Sequence, residues 1–240
     1  RVAGSYLNLG NNQMYLYKFK EAFTNVIASY PVYSAYSLNF YIAKEIEFYI
    51  HFYSGNLLKS LELINEIIRE GSKHSSPFQL SKRSFLLASV LVLKKQHSDA
   101  HKVLQDTKEI EKDKEGWNLG IRILSIINQL ESHKLDIVDL NIESLRKHIE
   151  RTIKMKAVRK RDVIILKLLA KLSRQGFNFK AVWKKNLKYF DLLASNDPEY
   201  RWEMKSPEMI IFHRWFESKV KGKDYDYVLK APQESSVTPD

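Results

Sequence analysis

Residues 43–71 read AKEIEFYIHFYSGNLLKSLELINEIIREG, and this stretch predicts two antiparallel helices joined by a short turn. An apolar helical run ends at Tyr53, the turn at Gly55 follows, and a second run extends from Leu57 to Arg69. The second run repeats apolar residues at helical spacing, which predicts one buried face. These residues are Leu57, Leu61, Ile64 and Ile68. Because one helix pair cannot bury its own apolar faces, similar pairs are expected on either side.

Comparable breaks between helical runs recur along the chain. Turns within helix pairs are predicted at Gly55, His97, Lys134 and Gly176, which lie 42, 37 and 42 residues apart. A fixed period of this kind identifies repeats of helix pairs, and this one exceeds the tetratricopeptide period of about 34 residues. The other predicted helices cover about residues 1–9, 13–29, 33–53, 78–95, 98–115, 117–133, 136–155, 158–174 and 179–194, and a last helix begins at Pro207.

The predicted fold is all-α, a right-handed superhelix of antiparallel helix pairs with about five pairs. We assign residues 1–221 to one helical repeat domain. Residues 222–240 are polar and charged, and they are expected to form a flexible C-terminal tail. Because the sequence opens at Arg1 inside a helical run, we expect the domain to be truncated at its N-terminus.

The composition fits a helical protein and excludes several kinds of site. Apolar residues make up 44% of the chain, and only 8 Gly and 6 Pro occur, which suits long helices with short turns. The chain has no cysteine, so disulfides, thiolate metal sites and cysteine nucleophiles are excluded. The same absence favours a reducing compartment, and we expect a cytoplasmic protein. No apolar run reaches the roughly 18 residues of a membrane span.

The residue patterns that suggest catalysis or metal binding are incomplete. His97 and His101 have the spacing of two zinc ligands on one helix, but Ser98 occupies the place of the glutamate that metalloproteases need. The three carboxylates Glu62, Glu66 and Glu70 share one face of a helix that also carries lysine and arginine, which is typical of a solvated face. We therefore expect no enzyme activity, no cofactor and no metal.

The turn and second helix of the first stretch resemble a tetratricopeptide unit. The pattern is Gly55-Asn56-x-x-x-Ser60-Leu61, in which a small residue about one helical turn after the break lets the two helices approach closely. The resemblance covers about residues 43–220. It implies a helical repeat fold and no known activity.

Residues 118–149 resemble the C-terminal region of uncharacterised bacterial tetratricopeptide-like proteins. In those proteins an arginine lies early in the first helix and a glutamate near its end, as Arg122 and Glu131 do here. The second helix carries a pattern of Ser-x-x-basic-x-Leu, which reads Ser144-x-x-Lys147-x-Ile149 in this protein. The sequence departs from the pattern at the last two positions, where arginine and leucine are expected.

A polar stripe marks the first helix of that pair. It consists of Asn118, Arg122, Ser125 and Gln129. In tetratricopeptide-like stacks the first helices line the concave groove, where a guanidinium can hold a peptide carboxylate with two hydrogen bonds. Alternatively, Arg122 is buried and satisfies backbone carbonyls in the turn. The sequence leaves both interpretations open.

Positive charge is concentrated in the second half of the chain. The net charge is +11, and residues 146–161, RKHIERTIKMKAVRKR, hold eight Lys or Arg and one Glu. The next helix carries four cations on one face: Lys160, Lys167, Lys171 and Arg174. Such a face suits an acidic protein, and it also suits the phosphates of a nucleic acid. The alternative is a basic outer face that only keeps the protein soluble.

We therefore predict a non-catalytic scaffold for protein–protein interaction. Its partner is a peptide or protein, bound in the concave groove or on the basic C-terminal half. The alternative is a helical repeat protein that associates with nucleic acid through residues 146–188. Aromatic residues near the cations, including Trp183, recur at helical spacing and are expected in the core, which favours a protein partner.

Overall fold

The computed structural model describes residues 2–34, 37–71, 75–111, 113–152, 158–204 and 206–223. Within these ranges the structure is all-α and has no β-strand, as predicted. The helices are α1 (Val2–Tyr15), α2 (Phe19–Ser29), α3 (Leu38–Tyr53), α4 (Leu57–Gly71), α5 (Pro77–Leu93), α6 (His97–Asp106), α7 (Trp117–Glu131), α8 (Leu135–Thr152), α9 (Lys160–Arg174), α10 (Phe179–Lys185), α11 (Leu187–Ala194) and α12 (Phe212–Lys221). A short 3₁₀ turn covers Tyr30–Val32.

The helices divide into two compact units. The first unit ends at Lys94 and holds α1 to α5, and the second begins at Lys95 and holds α6 to α12. In the first unit α1 packs on α2, α3 on α4 and α4 on α5. The buried Arg83 of α5 ties this stack to α3, because its Nε donates to the Glu45 carboxylate over 3.0 Å.

Most turns inside helix pairs share one backbone motif. A residue with positive φ ends the first helix of each pair: Tyr17, Gly55, Lys95, His133 and Gly176. At four of them the next residue donates its N–H to the carbonyl five residues back, over 2.8–2.9 Å. This is the bond that closes a helix with a left-handed residue just past its end. The positions lie 38, 40, 38 and 43 residues apart, so the predicted spacing was close, but the turn at Tyr17 was not foreseen.

The sequence suggested that the first helix breaks at Gly10, but the structure has no break there. Gly10 lies inside α1 and is buried where α1 meets α2. A Cβ at this position would lie 2.8 Å from a methyl group of Val26. The glycine therefore allows close packing of two helices, and the predicted boundary at residues 10–12 is wrong.

The buried face of α4 differs from the predicted one. Ser60, Leu63, Ile64 and Ile67 are buried, whereas the predicted core residues Leu57, Leu61 and Ile68 are only partly buried. Because α4 packs against both α3 and α5, its buried face includes the small Ser60 and leaves the leucine stripe at the edge. Leu61 is therefore not a fully buried core residue.

In the second unit the neighbours along the chain also pack together. Helix α7 contacts α6 and α8, and α9 contacts α8, α10 and α11. The predicted helix over 98–115 ends at Asp106, and the described residues that follow, 107–111 and 113–116, form a loop. The predicted helix over 179–194 divides at the buried Asn186, whose side-chain amide donates to the Val182 carbonyl.

The last helix starts later than predicted. Residues 206–211 are buried but not helical, and α12 begins at Phe212. Glu208 explains the difference, because its carboxylate accepts the Phe212 N–H over 2.9 Å and so caps α12 from four residues upstream. The sequence Ser206-Pro207-Glu208 therefore precedes the helix and does not open it.

No helix in the described ranges is both long and apolar enough to cross a bilayer. Two predicted features extend outside these ranges. Residues 224–240 of the predicted tail and residues 153–157 of the basic run are not described.

Candidate functional site

The site that the sequence placed on α7 is built around the described loop residues before α7, 107–111 and 113–116. The buried side chain of Asn118 accepts the Ile110 N–H and donates to the Ile110 carbonyl, both over 2.8 Å. The Asp113 carboxylate accepts the backbone N–H groups of Gly116 and Asn118 over 2.9 and 2.7 Å. Asn118 thus fixes the loop against α7 through one N–H and the oxygen of its side-chain amide.

Gln129 also has internal partners. It is buried, its oxygen accepts from the Asn141 side chain of α8 over 2.7 Å, and its amide donates to Ser125 over 3.4 Å. The bond with Asn141 joins α7 to α8. Of the predicted groove residues, Asn118 and Gln129 therefore hold the site together, and Arg122 remains as the residue that can contact a partner.

Arg122 keeps part of its hydrogen-bonding capacity free. Its Nη1 donates to the Ser144 hydroxyl of α8 over 2.9 Å, and its Nη2 donates to the Glu109 carboxylate over 3.2 Å. Its side chain is 30% exposed. A guanidinium has five N–H donors, and the others of Arg122 have no acceptor within the described ranges. The residue is held in place but is not fully bonded.

A cavity of about 230 Å³ opens beside this guanidinium. Its wall includes the end of α6, the loop, α7 and α8, and it carries the polar side chains of Lys108, Ser125, Asn141 and Ser144. The nearby His148 is almost buried, and burial, together with the Arg122 charge, lowers its pKa below the ordinary value of 6.5. His148 is therefore neutral at pH 7, and Arg122 and Lys108 supply the positive charge around the cavity.

The alternative role considered for Arg122, a buried arginine that binds carbonyls, is performed by Arg161. This residue is fully buried at the start of α9. Its Nε and Nη2 donate to the Glu208 carboxylate over 2.6 and 2.8 Å, and its Nη1 donates to the carbonyls of Leu193 and Tyr200. The sequence shows Arg161 only as part of a basic run, because its acidic partner lies 47 residues away.

The predicted basic face of α9 is partly neutralised. Lys160 pairs with Glu199 over 2.5 Å. Lys167 and Arg174 are exposed, Lys171 is partly exposed, and none of the three has a carboxylate partner among the described residues. Residues 163–190 contain seven cations and no Asp or Glu. This stretch therefore presents more unpaired positive charge than the predicted face alone.

The aromatic residues near these cations are partly exposed and pack on one another. The Trp183 ring lies 4.2 Å from that of Phe190 and 6.4 Å from that of Phe216, measured between centroids. The Phe179 ring packs 4.8 Å from Phe216. These rings pack on one another and do not form an exposed platform on which bases stack.

The histidine and glutamate candidates have ordinary structural partners. His97 begins α6, and its Nδ1 lies 2.9 Å from the Asn128 side-chain oxygen of α7. Across the described ranges, no three His, Asp or Glu side chains come together as metal ligands would. Each of the three aligned glutamates of α4 pairs with a cation: Glu62 with Lys59, Glu66 with Lys44, and Glu70 with Arg69.

No protein-family model, curated protein or solved structure matches this protein. The candidate site is therefore described from the contacts of the molecule itself, with Arg122 and its cavity at the centre.

Proposed function

We propose that this protein is a non-catalytic scaffold that binds an acidic peptide or an acidic segment of another protein. In this proposal the helix pairs belong to a tetratricopeptide-like right-handed superhelix, and Arg122 anchors the partner in the groove. Two features support the repeat fold: the turn motif that recurs about every 40 residues, and the packing of neighbouring helices within each unit.

One observation carries the proposed function. Arg122 is partly exposed, is held by Ser144, and faces a polar cavity with N–H groups that lack an acceptor among the described residues. A guanidinium in this state matches a carboxylate, because its planar N–H groups can donate two parallel hydrogen bonds to the two oxygens. The Ser144 bond reduces the freedom of the side chain before binding, which lowers the entropic cost of holding a ligand.

A peptide library tests this proposal. Immobilised random 12-residue peptides are probed with the wild-type protein, with Arg122→Ala and with the control Arg146→Ala. Arg146 is an exposed arginine of α8 that pairs with Glu143 and Glu150 outside the cavity. We expect the wild type and the control to select peptides rich in Asp and Glu, and Arg122→Ala to lose them. Equal selection by all three proteins would contradict the proposal.

The second candidate, binding to nucleic acid, is favoured by the acid-free stretch of residues 163–190. Its exposed cations can neutralise phosphates and release counterions, which gives binding without sequence preference. The packing of the Trp183 ring on Phe190 and Phe216 weighs against it, because bases stack on ring faces that no other ring covers. We therefore rank it second, and the same cations can attract an acidic protein instead.

A further inference from the structure

Glu109 is the acidic residue that pairs with Arg122 in the free protein. Its carboxylate lies 3.2 Å from Nη2 of Arg122, and its side chain is 63% exposed. It precedes Ile110, whose backbone N–H and carbonyl are both bound by Asn118. The backbone next to Glu109 is therefore fixed, whereas the exposed carboxylate is able to turn into solvent without opening the loop.

We propose that Glu109 occupies the position of a partner's carboxylate and acts as an internal competitor for Arg122. This inference rests on the proposed function, and it specifies the ligand group: a carboxylate, from either an Asp or Glu residue or the carboxyl terminus of the partner. The partner's carboxylate takes the Arg122 donors that Glu109 vacates when its side chain rotates away. The Ser144 bond keeps the guanidinium in place during the exchange.

The exchange is possible because the internal pair is weak. An exposed ion pair is screened by water, and forming it costs side-chain entropy. Breaking the Glu109–Arg122 pair should therefore lower the equilibrium constant for ligand binding by about fivefold or less. A second carboxylate beside Glu109 is opposed by the repulsion between the two negative charges, so a partner's carboxylate binds Arg122 more tightly once Glu109 has turned away.

The probes for this test are three small molecules. N-acetylglycine carries only a terminal carboxylate, N-acetylaspartic acid N-methylamide carries only the carboxylate of an aspartate residue, and N-acetylglycinamide is uncharged. Binding is followed through the ¹⁵N-resolved side-chain signal of Arg122 during titration. The two acids distinguish the possible sources of the carboxylate, and the amide controls for non-specific effects.

We expect Glu109→Gln to tighten binding of at least one acid by about threefold to fivefold relative to the wild type. The matched control is Glu111→Gln, which makes the same charge change at an exposed residue of the same loop. It should leave the affinity unchanged. Arg122→Ala and Arg122→Lys should bind the acids more weakly, and their binding is followed through the NMR signals of other residues that line the cavity. A backbone amide spectrum that otherwise matches the wild type would show that both variants are folded.

Each outcome gives a decision. If Glu109→Gln binds the acids no more tightly than the wild type while the Arg122 variants lose binding, the competitor role is overturned and the proposed function stands. The competitor role is likewise overturned if Glu111→Gln tightens binding equally, because the effect is then one of net charge. If no acid binds to any variant and no library peptide depends on Arg122, the proposed function itself fails.

Discussion

At the scale of single residues, the surroundings of a guanidinium decide its role. Arg161 is fully buried, donates to Glu208 and two carbonyls, and its Nη2 lies 3.1 Å from Nδ1 of His213. Burial alone would raise the pKa of Glu208, but the adjacent Arg161 holds it below its usual value. Arg122 has fewer partners and stays partly exposed. Arg161 is thus placed to stabilise the fold, and Arg122 keeps the N–H groups on which the proposed binding role rests.

Removing Arg161 should strongly destabilise the second unit. Arg161→Ala leaves the Glu208 charge buried without its main partner, and breaking a buried pair in this way typically costs about 3–5 kcal/mol. Arg146→Ala, which removes an exposed arginine of the same unit, should leave the free energy of unfolding nearly unchanged. Urea unfolding curves of the two variants and the wild type provide the comparison. Similar unfolding midpoints for the two variants would contradict this account of Arg161.

His213 should make stability fall in mild acid. Burial, and then the Arg161 charge, lower its pKa from 6.5 to about 3, while Glu208 opposes this and Arg214 and Glu217 have smaller effects. Between these values the unfolded protein binds the proton and the folded protein does not, so stability is lost as pH falls from about 6.5 toward 3. The loss at pH 5 should be about 2 kcal/mol. The pH dependence of urea unfolding should be shallower in His213→Gln, and an identical slope would contradict the assignment.

The contacts among Arg161, Glu208 and His213 are of a kind that local sequence patterns do not predict. Arg161 lies in a run of cations, and its contact with Glu208 depends on a non-helical segment that crosses to the start of α9. Helical periodicity describes neighbours three or four residues apart, so it carries no information on such a contact. Arg122 was predicted as a site residue because the polar stripe on its helix can be recognised from helical spacing alone. Its partner Glu109 was not predicted, because it lies in a loop that the sequence assigned to a helix.

At the scale of the helices, glycines illustrate both success and error. The turn at Gly55 was predicted correctly, because this residue has positive φ and glycine adopts that conformation without strain. Gly10 was misread as a break, because a glycine inside a helix looks the same in sequence as one that ends it. Packing against Val26 distinguishes them, and that contact is known only from the structure.

Gly120 of α7 supports a prediction about the segment before α12. A Cβ at this position would overlap the carbonyl oxygen of Pro207, so Gly120→Ala should displace the segment. Overpacking of this kind typically costs about 1–3 kcal/mol. The control is Gly4→Ala in α1, where no atom lies within 4 Å of the added Cβ. That change should stabilise by up to about 1 kcal/mol, because alanine favours a helix over glycine.

Thermal unfolding of both variants checks the pair of predictions. A lowered melting temperature for Gly120→Ala and an unchanged or raised one for Gly4→Ala are expected. If Gly120→Ala has the same melting temperature as the wild type, residues 206–211 do not pack closely on α7.

At the scale of the whole molecule, the all-α class followed from composition and helical periodicity, which are properties of local sequence. The number of helices and the burial of each face depend on packing between elements, and there the predictions were less accurate: α4 buries Leu63 in place of Leu61, and one predicted helix is divided at Asn186. The concentration of positive charge in residues 163–190 was also visible in sequence, but not the pairing of Lys160 with Glu199.

Reversing three unpaired cations separates the two candidate functions. The variant carries Lys167→Glu, Lys171→Glu and Arg174→Glu, and its control reverses three exposed cations that have acidic partners, Lys59, Lys102 and Arg146. For an acidic partner protein, we expect the first variant mainly to slow association. Binding of unrelated duplex DNA at about 150 mM salt should be no tighter than the micromolar range that non-specific contacts give.

Gel-shift titrations at two salt concentrations measure the second expectation. Submicromolar DNA binding that the first variant abolishes and the control retains would reverse the ranking of the two functions. In that case the logarithm of affinity should fall linearly with the logarithm of salt, and the three reversals should reduce the slope by about 2–3.

The central claim is that Arg122 binds a carboxylate of the partner, and a double-mutant cycle tests it most directly. The tightest peptide from the library is titrated against the wild type and Arg122→Ala, both with its acidic group intact and with that group converted to an amide. We predict a coupling of about 1.5 kcal/mol or more between the two changes, as for close charge pairs at interfaces. Additive effects, with no coupling for any acidic group of the peptide, would contradict the account.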